Sequence, residues 1–138
     1  MKFVPYEDEI KYSKTNMEDK MRRYLQNGIT TVFDVGSTYF FLTRSKEFKD
    51  KDFARTIYIT GPLSSSCEPK IYENFPNESP FTLTKTIEEG IKSLQNQLPY
   101  QPDFIKILNI AGADGISVEE SAQKIYQLLN LIRVNPLK

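Results

Sequence analysis

The chain has 138 residues, with 18 Lys plus Arg balanced by 18 Asp plus Glu, no histidine and one cysteine. This length fits a single domain with a real core, and the cancelled charge gives no net field to hold nucleic acid or an anionic membrane. Without histidine, every histidine-dependent mechanism is excluded for this chain alone, and Cys67 has neither a disulfide partner nor an imidazole to activate it.

Residues 1–14 read as a lead segment. Acidic residues and Pro5 stand where an export signal would carry its apolar stretch, and no run is long enough to span a bilayer, so a cytoplasmic setting is expected. Thr15-Asn16-Met17-Glu18 matches a capping box, and Met17, Met21, Tyr24 and Leu25 recur at helical spacing, predicting a helix from about Asn16 to Asn27 with Gly28 as its stop. Ile29–Val35 is a β-branched strand that puts Asp34 near its C-terminal end, where a hydrogen bond to loop amides or a helix N-terminus is its expected role. A short helix follows from Tyr39 to Phe48, then a second strand over Thr56–Thr60, ended by Gly61-Pro62.

Residues 63–80 hold three prolines among Ser and Asn and read as a long loop, a lid or an excursion from the domain. Cys67 is a loop thiol there. Thr84 or Thr86 caps the next helix, whose face is Ile87, Ile91, Leu94 and Leu98, with Pro99 ending it. The third strand is Phe104–Ile110, with Lys106 in its middle. A second capping pattern, Ser117-Val118-Glu119-Glu120, opens a last helix with Ala122, Ile125, Leu129 and Ile132 as its stripe. The alternation predicts α/β architecture: about three parallel strands with crossover helices, apolar on both faces.

Lys106 is the most informative residue. A buried ammonium must be paired, neutralised or modified, or must snorkel to solvent, so it reads either as a strand-end lysine or as a site residue. Tyr39, Tyr58 and Tyr72 could line a cleft, although aromatic residues at such places more often pack.

Three segments carry a resemblance: Gly28-Ile29-Thr30-Thr31-Val32-Phe33-Asp34-Val35-Gly36-Ser37, Ile57-Tyr58-Ile59-Thr60-Gly61-Pro62 and Pro102-Asp103-Phe104-Ile105-Lys106-Ile107. In this order and spacing the chain resembles the metal-dependent amidohydrolase superfamily, in its imidazolonepropionase- and prolidase-like branch, over roughly Tyr6 to Leu129. The resemblance implies a partial (β/α)8 TIM-type barrel over residues 1–138. In the complete enzyme it implies one or two divalent metals, zinc foremost, activating hydroxide to cut a C–N bond of a small amide or peptide-like substrate. At the position matching Lys106, that branch carries a carboxylated lysine that can bridge two metals, which gives Lys106 an implied catalytic and metal-ligating role.

The family's His-x-His pair, its later histidines and its last aspartate are absent, and neither Asp34 nor Thr60 matches a ligand position. The expectation is therefore an inactive segment that binds no metal alone, with truncation or an early stop as the simplest account and an unmodified Lys106. A non-catalytic module is the alternative: strands that cannot close a barrel leave open sheet edges that self-association would cover. A Schiff-base nucleophile at Lys106 is a remote third reading, testable by borohydride trapping.

Overall fold

In a computed structural model, residues 5–49, 51–53, 56–67, 69–72, 79–108 and 117–134 are described. The chain is mixed α/β, with five α-helices and two small, open parallel sheets among these residues. The elements, in order, are α1 (Tyr6–Thr15), α2 (Met17–Gln26), β1 (Thr31–Asp34), α3 (Tyr39–Glu47), β2 (Thr56–Ile59), β3 (Leu63–Ser65), β4 (Phe81–Leu83), α4 (Ile87–Gln97), β5 (Ile107–Leu108) and α5 (Val118–Val134), with single 3₁₀ turns at Lys70–Tyr72 and Leu98–Tyr100.

The first departure from the sequence reading is α1, which occupies most of the supposed lead segment. Pro5 precedes it, and Glu7, Asp8 and Glu9 fill its first turn, where the helix dipole favours acids. The expected capping box at Thr15 does not form, because Thr15 still belongs to α1: its hydroxyl donates back to the Lys11 carbonyl at 3.0 Å. Asn16 is the joint between the two helices, and α2 then ends as predicted. Gly28 takes φ +78°, and the Gly28 and Ile29 amides donate to the Leu25 and Tyr24 carbonyls, each at 2.9 Å, which is the Schellman arrangement.

β2 ends just before Gly61-Pro62, as predicted; the second departure is that a new strand, β3, begins directly after them. β1 pairs with β2 from Thr31↔Thr56 to Asp34↔Ile59, and the contact runs on through Thr60 N–H to the Asp34 carbonyl (3.2 Å) and Ser37 N–H to the Gly61 carbonyl (3.4 Å). Beyond that point β1 gives way to β4, which pairs in parallel with β3 from Leu63↔Phe81 to Ser65↔Leu83. The supposed long loop at 63–80 is thus opened by a strand; residues 73–78 lie outside the described residues.

On the other side of the same segment, β5 pairs in parallel with β3 through Ser64↔Ile107 and Ser65↔Leu108. Asp103 extends that contact backwards: its carboxylate accepts from the Ile59 amide at 2.9 Å, and its own amide donates to the Ile59 carbonyl at 3.0 Å. Among the described residues the paired part of the third strand starts after Lys106, at Ile107, later than predicted; residues 109–110 lie outside the described residues.

The helices cover one side. Met17 and Phe48 are buried together, with Met21, Phe41, Phe53 and Ile57 against them, which seats α2 and α3 on the β2 face. α4 is nucleated by a complete capping box, Thr86 with Glu89. It locks onto β3 through Ser93 and Ser64, whose buried hydroxyls are 2.9 Å apart, and through Gln97, whose amide donates to the Pro62 carbonyl at 2.7 Å. The other face of β1 and β2 is open, against the expectation of strands apolar and buried on both faces. Phe33 is 62% exposed and stacks on Tyr58, itself 40% exposed, at 4.7 Å between centroids. No described element packs there.

Candidate functional site

Lys106 is half-buried at the entry to β5, and its carbonyl accepts from the Ser64 amide at 3.3 Å. Among the described residues, no carboxylate lies within ion-pairing distance of its ammonium. A metal centre needs more than one donor, and the described residues contain no group of three His, Cys, Asp or Glu side chains able to hold an ion. Together with the absence of histidine from the sequence, this donor set does not fit the metal implied by the resemblance. Lys106 has no described co-ligand.

A cavity lies elsewhere, where α1 and α2 meet the C-terminal end of β1. It holds about 360 Å³, within the range of small-molecule sites. Asp34 reaches it from the end of β1, and Ser37 and Thr38 from the turn into α3. That turn is tight because Asp34 Oδ1 accepts from the Gly36 amide at 3.3 Å, the local hydrogen bond predicted for it. The α3 N-terminus is closed by Thr38, whose hydroxyl accepts from the Phe41 amide at 3.5 Å.

Asp34 is half-buried, and desolvation raises its carboxyl above the ordinary aspartate value; hydrogen bonds from Gly36 and Ser37 oppose this without cancelling it. Among the described residues no lysine or arginine pairs with it. Lys20 shares the cleft, but its ammonium donates to Ser13 Oγ at 2.6 Å and lies 5.4 Å from the Tyr12 ring centroid.

Of the three tyrosines considered from sequence, only Tyr72 reaches this cleft. It meets Tyr6 edge to face at 4.9 Å and Phe81 at 5.3 Å. Tyr39 packs on Tyr100, and burial first and the neighbouring phenol second raise its hydroxyl above the ordinary tyrosine value; Tyr58 is spent on Phe33. Lys106 does not line the cleft, so the structure does not bring the two sequence candidates into one site. The contribution of α1, through Tyr6 and Ser13, escaped the sequence reading because that helix did. Its acidic first turn after Pro5 was the signal available.

No family model, no curated protein and no solved structure matches the chain.

Proposed function

We propose that this chain is a segment of a metal-dependent amidohydrolase-type (β/α)8 barrel, acting in the complete enzyme on amide or peptide-like substrates, and that alone it does not turn over. The observation that carries this reading is the parallel pairing along residues 56–65: β2 pairs with β1, β3 pairs with β4 and β5, and Asp103 ties the lead-in to β5 to Ile59, with α3 between β1 and β2 and α4 between β4 and β5. Consecutive strands of a barrel are neighbours in this way. Lys106 sits at the third of them, where the resemblance asks for a lysine, and the remaining donors would have to come from outside the described residues.

The purified chain, supplied with zinc and offered N-acyl amino acids and dipeptides, is expected to show no turnover. Hydrolysis accompanied by stoichiometric tight metal would overturn the claim of inactivity. The nucleotide sequence on either side of the reading frame gives a second test: it should encode a His-x-His segment and further strands, and unrelated sequence there would count against truncation.

A second reading, a module that binds or assembles without catalysis, is favoured by the open sheet face. The exposed Phe33–Tyr58 stack, with Val35 48% exposed beside it, is apolar surface that a partner copy would cover. Sedimentation that gives a monomer at all concentrations would remove it. In both readings the expected setting is cytoplasmic; no helix among the described residues is long and apolar enough to cross a membrane.

A further inference from the structure

Asp34 is a partly buried carboxylate that pairs with no lysine or arginine among the described residues, and it lines a cavity that also has aromatic side chains. Three of the lining rings are Tyr6, Tyr24 and Tyr72, and Met17 and Met21 line the same cavity. An uncompensated carboxylate beside ring faces and polarisable sulfur is the chemistry by which proteins hold ammonium groups: the acid supplies a charge-assisted hydrogen bond and the rings a cation–π contact. Exposed Glu9 adds a second negative charge to the lining, and Lys20, its one cation among the described lining residues, is already held by Ser13.

An anion is disfavoured on the same grounds. The Gly36 amide is occupied by Asp34 and the Phe41 amide in the first turn of α3 by Thr38, so two of the donors that would greet a phosphate or carboxylate are already satisfied internally. A neutral ligand would bury Asp34 further without balancing its charge.

We propose that this cleft binds a small organic ammonium ion with an apolar or aromatic body, Asp34 acting as its counter-ion and the tyrosine rings as its walls. The site is independent of the barrel reading, since it uses neither Lys106 nor a metal.

The test measures binding of 2-phenylethylammonium, 2-phenylethanol and 3-phenylpropionate to the full chain by ligand-observed NMR and calorimetry. The ammonium is expected to bind about tenfold or more tightly than either control, the scale of one charge-assisted hydrogen bond. Asp34→Asn keeps an acceptor for the Gly36 amide, so it should lose that preference while melting no lower than the parent. Tyr24→Leu, at a ring 40% exposed and so tolerant of change, should weaken the ammonium a few-fold, the scale of one exposed cation–π contact.

Failure to bind the ammonium, equal affinity for the alcohol, or preference for the carboxylate overturns the proposal. So does a folded Asp34→Asn chain with unchanged affinity. An Asp34→Asn chain that does not fold overturns the counter-ion role, because the carboxylate would then belong to the fold.

Discussion

Replacing Gly61 with alanine probes the bend at which the central segment exchanges β1 for β4. Gly61 does not need a left-handed backbone; among the described residues positive φ is confined to Gly28 and Gln101. It needs the space. An alanine Cβ would lie 2.8 Å from Gln97 Oε1, 3.2 Å from Gln97 Cδ and 3.2 Å from Leu42 Cδ2. Leu42 and Gln97 are both fully buried, and the Gln97 amide is held by the Pro62 carbonyl at 2.7 Å. If Gln97 swings aside, a buried carbonyl loses its donor, at a cost of about 1–3 kcal/mol. If α4 moves instead, overpacking costs a similar ~1–3 kcal/mol. Alanine recovers about 0.4–1 kcal/mol by restricting the unfolded chain, so the expected net loss is roughly 1–2 kcal/mol. Urea unfolding followed by circular dichroism should show a lower midpoint with an unchanged slope. In a Gln97→Ala background the same substitution should be close to neutral, a coupling of about 1 kcal/mol or more. Gly61→Ala as stable as the parent, or equally costly with and without Gln97, would refute this account of the bend.

Leu42→Ala should cost about 2–5 kcal/mol in the same denaturation experiment, because Leu42 is fully buried between α3 and the Gly61 bend and a cavity would remain. Thr86→Ala removes half of the capping box that opens α4 and should cost about 1 kcal/mol, read as a lower thermal midpoint with the fold retained. Asp34 has a pH signature. Its native carboxyl is raised by desolvation, so the folded chain holds that proton more tightly than the unfolded one. The stability it contributes is fully present below the ordinary aspartate value and lost as pH rises through the raised native value. Asp34→Asn should flatten stability against pH across that window; an unchanged profile would show that Asp34 is not the group responsible.

Elements whose ends carry local chemistry could be read from the sequence: the Gly28 stop, the Thr86 box and the Asp34 turn each depend on a few adjacent residues. The alternation of strand and helix gave the α/β class for the same reason. What escaped depended on distant partners. Gly61-Pro62 ends β2 as its composition says, but β3 starts again at once because the Leu63 amide meets the Pro80 carbonyl and the Ser64 amide meets the Lys106 carbonyl, partners far along the chain. Nothing near Asp103 in the sequence points to the Ile59 amide that its carboxylate meets. The cleft depended on α1, whose helical pattern is weak because no residue of it is buried. Lys106 drew notice for its apolar neighbours, and the structure leaves it half-buried and outside that cleft.

The most direct test of the segment reading follows Lys106 itself. The purified chain is equilibrated with zinc and 13C-bicarbonate, and its carbamate resonance and bound metal are measured together. The account predicts no carbamate signal and no stoichiometric metal. A carbamate resonance that disappears in Lys106→Arg, accompanied by one or two tightly held zinc ions per chain, would contradict it.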